Sequence, residues 1–429
     1  EGVAAAKADK EAYLEVPMPR GFRVETTELD GPVFADARGR TLYAWPFKAL
    51  RNGNTGDQKN QSSCTDTKYT VSAGFMSPYP GGLVMPDAET RPSCVEVWHP
   101  AQAERNAKPV GKWTIILRKD GARQWAYDGA ALYTSVLDRK PGDVLGGDSV
   151  EHQGDSPAVR VPIAPPPDVP PGFTVATTFS GRLLQTGENF SVYVSDHDEP
   201  NKSNCDVECA RTWIPLQAPM SARPHGDWAI IERAPGINQW TFRGKPLYRY
   251  AFDTHVRSSE GTDVPGWHNV FTQQAPPPPA QFIVQDTTAG QVLADRNGKT
   301  IYSYSCGDDA VDQLGCDHPS EPQVYRFALC GGGDPKRCLS TFPYVVADED
   351  ARNTSQSWSI VWIDPLTGRR ANAGQSGAMR VWAFRDRPVY TYAGDVRPGD
   401  VYAHGFGEFR AHRQGYKAFW LRNDFFPRT

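Results

Sequence analysis

Long apolar runs are missing from this chain. The longest, such as Ala229-Ile230-Ile231 and Val345-Val346-Ala347, are strand-sized and far short of the roughly 20 residues of a membrane span. No C-x-x-C pair occurs, which removes a zinc ribbon, a thioredoxin-like redox pair and a C-x-x-C-H haem site. There is no G-x-S-x-G nucleophile turn and no glycine-rich phosphate loop followed by Lys-Ser/Thr. Gly331-Gly332-Gly333-Asp334 is glycine-rich, but it lies between two cysteines and reads as a disulfide-bounded loop. The nine histidines form no H-x-H or H-x-x-x-H pair, and the five methionines form no copper-binding cluster. An excess of positive charge is missing too: 46 Lys and Arg face 50 Asp and Glu, with no basic stripe. Nucleic acid is therefore not an expected partner, because phosphate binding needs a concentrated positive face.

What is present points to a folded β protein outside the cytoplasm. The 429 residues leave room for about two to four domains, each with its own core. Glycine (39) and proline (37) favour many turns over long helices. Eight cysteines, at 64, 94, 205, 209, 306, 316, 330 and 338, read as structural disulfides and hence a periplasmic or secreted location. A start at Glu1 without a signal peptide is what a mature, processed chain would show.

Internal periodicity organises the sequence. A short strand signal opens each of three segments: Gly21-Phe22-Arg23-Val24, Gly172-Phe173-Thr174-Val175 and Gln281-Phe282-Ile283-Val284. A tyrosine follows each Phe at a near-constant interval: Tyr43, Tyr193 and Tyr302. Asp36 to Gly39 and Asp295 to Gly298 form Asp-x-x-Gly turns before two of these tyrosines, a hairpin signature. Later in each segment come Trp113, Trp228 and Trp358 at the head of apolar runs, then Trp125, Trp240 and Trp382. Eight residues beyond each second tryptophan stands another tyrosine: Tyr133, Tyr248 and Tyr390. The third segment lengthens the Trp-to-Trp interval around Leu366 to Ala378. The two halves within a segment also resemble each other, as an internal duplication would leave them.

These markers predict an all-β fold of mainly antiparallel strands with short helices, in three tandem homologous domains. The divisions are an arm at 1–20, domains at 21–164, 172–274 and 281–429, and Pro-rich linkers at 165–171 and 275–280. Proline runs of this kind adopt stiff polyproline II geometry and are expected to act as spacers.

Tyr248, Tyr250 and Asp253, and likewise Tyr390, Tyr392 and Asp395, match a Tyr-x-aromatic-x-x-Asp pattern in full. Tyr133 with Asp138 and Tyr193 with Asp198 keep the spacing but carry Ser in the aromatic place. Tyr43 is followed by Lys48 and Tyr302 by Gly307 where Asp is expected. Nearby stand Gly244-Lys-Pro-Leu-Tyr248, Ser203-Asn-Cys205-x-x-x-Cys209-Ala-x-x-Trp213-x-Pro215 and Arg118-Lys-Asp-Gly-x-x-Gln124-Trp125-Ala-Tyr127. Together these resemble the bacterial secreted repeat family described as lipoproteins with a Yx(FWY)xxD motif, from about residue 21 to 412. The resemblance implies an extracytoplasmic bacterial protein and supplies no reaction and no cofactor.

Aligning the three segments pairs the cysteines. Cys94 and Cys209 each lie four residues before a tryptophan and six before a proline, and Cys338 lies four before Phe342. This predicts Cys205–Cys209 as a compact bridge and Cys64–Cys94 as the same bridge across an inserted loop. Closing a loop of about 30 residues contributes roughly 3–4 kcal/mol in the chain-entropy model. In the third segment the expected pairs are Cys330–Cys338 and Cys306–Cys316.

Three groups of residues are candidates for function. Tyr248 and Tyr250 share one strand face, so with Asp253, and with Tyr390, Tyr392 and Asp395, they form either sheet packing with the Asp capping a turn or a tyrosine platform for a ligand or partner. Asp196, His197, Asp198 and Glu199 are the acidic turn best suited to a divalent metal such as calcium, against the reading of solvated turn residues. His197, His255 and His268 are a weaker metal set in the same segment. The turns Asp138 to Asp143 and Asp395 to Asp400 carry Arg or Lys, which disfavours a cation. Phe419, Trp420, Phe425 and Phe426 crowd the last eleven residues and are expected to pack on the last domain or meet a partner.

The function these features support is a non-enzymatic binding or scaffolding protein of the periplasm or cell surface, an accessory subunit with other envelope proteins as partners and no cofactor. One alternative is a metal-binding or redox-accessory protein. Another is an envelope enzyme acting on carbohydrate through carboxylates such as Asp196, Asp198 or Glu199.

Overall fold

The computed structural model describes residues 9–45, 47, 57–66, 92–146, 160–305, 320, 323–407 and 415–423. Strands dominate, and the pairings between them are antiparallel. The helices are short: Cys94–Val97, Cys209–Thr212, Val324–Gly331 and Pro335–Thr341. Three of them stop where a bulky aromatic turns extended, its N–H capping the cysteine carbonyl four residues back: Trp98 on Cys94, Trp213 on Cys209 and Phe342 on Cys338.

The same arrangement recurs along the chain. Each segment opens with a hairpin, Arg23–Thr26 with Pro32–Ala35, Phe173–Thr178 with Gly181–Thr186, and Phe282–Thr287 with Gly290–Asp295. A threonine hydroxyl closes each tip, Thr27 on Gly31, Thr178 on Gly181 and Thr287 on Gly290. Gly181 has φ +132°, and a Cβ there would lie 2.4 Å from the Gln273 carbonyl of the adjacent strand, so the tip requires glycine. A central sheet follows, in the order Trp98–Pro100, Tyr133–Ser135, Tyr43–Ala44, Val161–Pro162 in the first segment. The second segment repeats that order with Trp213–Pro215, Tyr248–Tyr250, Tyr193–Ser195 and Trp267–Asn269. In the third, Tyr302–Ser305 pairs with Gly415–Ala418, and Tyr390 bridges both Tyr302 and Tyr344.

The evenly spaced sequence markers meet in the cores, which explains their spacing. Phe22 packs on Trp113 at 4.8 Å, Phe173 on Trp228 at 4.7 Å and Phe282 on Trp358 at 5.3 Å between ring centroids. The second tryptophans close the same clusters edge-on, Trp125 against Trp113 and Trp240 against Trp228. Each Phe–Trp–Trp set seals an opening hairpin onto the later hairpin of its segment.

The proline-rich stretch at 165–171 is not a free spacer. Proline lacks an N–H but keeps its carbonyl, and the stretch exchanges bonds with the N-terminal arm: Leu14 N donates to Pro166 O at 2.9 Å and Asp168 N to Ala12 O at 3.0 Å, around the bridge of Tyr13 with Pro167. Val16 and Met18 of the arm pack on the first core. Glu11 reaches the second segment, taking two hydrogen bonds from Arg182 at 2.8 and 2.9 Å and one from Thr272 at 2.6 Å.

Two hairpin tips plug into the third segment. Leu29 and Phe179 join the cluster of Trp358, Phe384 and Phe419, with Phe179 at 4.8 Å from Phe419. Beside Leu29, Glu28 accepts from Gln356 N, Ser357 N and Ser357 Oγ, and Asp30 pairs with the buried Arg385 at 2.6 Å. Phe419 and Trp420 are thus buried parts of the third segment, with Trp420–Asn423 paired to the Gly290–Asp295 strand. Phe425 and Phe426 lie outside the described residues.

Candidate functional site

The Tyr-x-aromatic-x-x-Asp elements sit in the central sheets, where Tyr43 lies in register with Tyr133, and Tyr193 with Tyr248. Four of the tyrosines take an aspartate from the other element of the pair. Tyr193 donates to both oxygens of Asp253, at 3.0 and 2.9 Å, while Tyr248 donates to Asp198 at 2.7 Å. Tyr43 donates to Asp138 at 2.8 Å and Tyr302 to Asp395 at 2.6 Å. Lys48 stands where Tyr133 needs a carboxylate, and Asp57 takes its place at 2.9 Å.

The aspartates do two jobs with two oxygens. Asp138 accepts Tyr43 on Oδ2 and Leu145 N on Oδ1; Asp198 accepts Tyr248 on Oδ2 and Asn204 N on Oδ1. Asp57 divides itself between Tyr133 and Ser63 N, and Asp395 between Tyr302 and Tyr402 N. One oxygen closes the loop after the strand while the other ties it to the neighbouring strand. A second anchor holds the loop before the cysteine. Ser62 and Ser203 meet the hydroxyls of Tyr133 and Tyr248, and Arg118 and Arg233 each donate to that serine, a buried glutamine and a cysteine carbonyl.

The third segment solves the problem differently. Ile363 occupies the place of Arg118 and Arg233, five residues beyond the strand's tryptophan. Arg326, from the helix Val324–Gly331, is buried over the Tyr390 ring at 4.7 Å and donates to Tyr344 at 2.6 Å.

Burial sets the titration of these groups. Removal from water pushes Asp138 and Asp253 up to about 7, opposed by the tyrosine bonds, and raises Asp395 for the same first reason. Tyr248 rises to about 12, again chiefly by burial.

Of the residues expected as a ligand platform, Tyr250 and Tyr392 are half-buried and the other four, Tyr248, Tyr390, Asp253 and Asp395, are buried. Tyr250 and Tyr392 lie against core rings, Tyr250 on Trp213 at 4.5 Å and Tyr392 on Phe342 at 4.9 Å. Beneath them Trp213 stacks flat on Trp267 and Phe342 on Tyr416, each pair 3.7 Å apart. In the first segment, where Ser135 replaces the aromatic, Arg160 lies over Trp98 at 4.8 Å.

The acidic turn at 196–199 disperses rather than converging on a cation. Asp196 bonds His268 at 2.7 Å, Asp198 serves Tyr248 and Asn204, and Glu199 pairs with Lys202 at 3.0 Å. His197 N bonds Ser195 Oγ, and His255 meets Thr254. Among the described residues no group of three or more His, Cys, Asp or Glu is placed to hold a metal ion. Asp143 and Asp400 are buried and accept the backbone N–H groups of their own turns.

The structure joins Cys64 to Cys94, Cys205 to Cys209 and Cys330 to Cys338; Cys306 and Cys316 lie outside the described residues. Beside Cys205–Cys209 an open cleft of about 510 Å³ is lined by Ser195, His197, Asp206, Trp213 and Trp267. Sequence reasoning missed Asp57, Ser62, Arg233 and Arg326. The serine two residues before the cysteine and the arginine five after the tryptophan were readable as repeated offsets in two segments; Asp57 and Arg326 carry no such signal.

The fold and these pairs define a disulfide-linked antiparallel β protein in which tyrosine–aspartate hydrogen bonds fasten loops to the sheets. A family model described as a secreted repeat of unknown function matches residues 114–149, the stretch that holds Arg118, Gln124, Trp125, Tyr133 and Asp138. No curated protein and no solved structure matches the chain. The secreted-repeat match and the disulfides fit an extracellular protein. No helix among the described residues is long and apolar enough to cross a membrane.

Proposed function

We propose that this chain is a non-enzymatic binding and scaffolding protein of the periplasm or cell surface, built from three diverged copies of one Yx(FWY)xxD unit, and an accessory subunit of a larger envelope assembly. One observation carries this reading: the tips of the first two opening hairpins, Leu29 and Phe179, both end in the core of the third segment. With the buried Asp30–Arg385 pair and the Glu11–Arg182 bonds, they hold three differing loop sets in fixed relation. Such a body suits partners that must be kept at set distances. The motif's polar groups are spent on internal fastening, which leaves the loops to carry recognition.

The test is cross-linking in native envelope extracts, followed by size separation and identification of the bound proteins. A reproducible assembly of fixed stoichiometry supports the reading if it is lost when exposed side chains such as Phe252 or Tyr402 are changed to Asp without unfolding the chain. A native chain that runs at its own 47.4 kDa after cross-linking overturns it.

A further inference from the structure

The three disulfides among the described residues are not equally buried. Cys64 and Cys94 are 2% and 0% exposed, and Cys330 and Cys338 are 9% and 1%. Cys64 borders an open cleft of about 650 Å³ but is itself buried, whereas Cys209 is half-buried and lines the open cleft of about 510 Å³ together with Cys205. Exchange requires a thiolate to approach a disulfide sulfur, so access decides which bond reacts.

The backbone around this bond is held as it is around Cys64, where Arg118 donates to the Cys64 carbonyl and Ser62 meets the Tyr133 hydroxyl. Cys205 O accepts from Arg233 at 2.6 Å and Cys205 N donates to Ser203 Oγ at 3.2 Å. Ser203 Oγ meets the Tyr248 hydroxyl at 2.7 Å, and Tyr248 holds Asp198 at 2.7 Å. These contacts run through the Cys205 backbone and hold the loop from Asp198 to Cys205 on the sheet, and the disulfide ties Cys209 to the same point.

We propose that Cys205–Cys209 is a thiol-exchange site, reduced by a dithiol donor that enters the cleft. The donor thiolate attacks Cys209 Sγ, the bond between the cysteines breaks, and its electron pair leaves on Cys205 Sγ, which takes a proton from water. The donor's second thiolate then attacks the donor sulfur of the mixed disulfide and expels Cys209 as a thiolate, which is protonated in turn. The chain gains two electrons and two protons, and the donor dithiol becomes a disulfide. The reduced loop is freed from the sheet while the other described disulfides stay closed, so this segment's surface responds to the thiol poise of its surroundings.

The oxidised full chain is treated with graded dithiothreitol under native conditions, quenched with iodoacetamide and mapped by mass spectrometry. Cys205 and Cys209 are expected to label at least about tenfold faster than Cys64, Cys94, Cys330 and Cys338. Tryptophan emission should rise in the same phase, because Trp213 packs in one cluster with Cys205 and Cys209 and disulfides quench indole. A variant carrying Cys205→Ser and Cys209→Ser should lose both signals and keep its native circular dichroism. Labelling of all pairs together with unfolding, or of Cys64 and Cys94 first, overturns the proposal. So does a fast emission phase that persists in the folded variant.

Discussion

Tyr248 donates its hydroxyl hydrogen to Asp198 at 2.7 Å, although the aspartate that completes its own sequence element is Asp253. Asp253 serves Tyr193 instead, and the exchange is reciprocal because the two tyrosines lie in register on adjacent strands. Five residues beyond a tyrosine the chain has left its strand and turned, so the carboxylate falls over the neighbour. A buried carboxylate in this position needs its hydrogen bonds, since an unpartnered one is costly.

The crossed pairs predict a pH dependence. Asp138 and Asp253 are raised by burial from an ordinary 3.8 to about 7, so between these values the native chain binds protons that the unfolded chain has released. Their stabilising contribution is complete below the unfolded value and is lost as pH rises through about 7. The urea midpoint should therefore be higher near pH 5 than near pH 8, and a variant with Asp138→Asn and Asp253→Asn should show a flatter profile. An equal slope in both proteins would assign the dependence to other groups.

Leu29 is predicted to act across segments. It is buried at the hairpin tip, in one cluster with Trp358, Phe384 and Phe419, each more than three hundred positions away. Leu29→Ala should cost about 2–5 kcal/mol, by lost transfer energy plus the cavity left behind. Denaturant unfolding measures the loss, and limited proteolysis should show the third segment becoming more susceptible. A cost below about 0.5 kcal/mol would mean that the tip does not hold the segments together.

Asp30 and Arg385 should behave as a buried pair. Asp30→Ala leaves the guanidinium without that partner and should destabilise by about 3–5 kcal/mol, whereas replacing both residues by apolar ones of similar volume should be far less harmful. A double-mutant cycle in denaturant decides. Additive costs would show that the two side chains contribute independently.

Much of the fold is legible in the sequence because it depends on local rules. Phe22, Trp113 and Trp125 announce their strands by alternation and turn spacing, and their counterparts repeat at the same offsets. The short helix between Cys94 and Trp98 and the compact Cys205–Cys209 bridge follow from spacings of a few residues. Tyr248 and Asp253 were legible as a motif, but their partners were not. Whether Tyr248 reaches Asp198 or Asp253 depends on which strand lies beside it and in what register.

The sequence by itself determined an antiparallel β protein with periodic aromatic cores and compact cysteine bridges, because apolar periodicity, turn residues and cysteine spacing act over short distances. Only the tertiary structure decided that Tyr193 and Tyr248 cross over to each other's aspartates, that Asp57 accepts from Tyr133, and that Arg326 lies buried over Tyr390. It also decided that the acidic turn at 196–199 disperses and that Leu29 and Phe179 bind the segments into one body. The physical reason is common to all of these: a buried polar group or an exposed apolar tip is satisfied by whatever the fold brings beside it, and that neighbour lies far away in the chain.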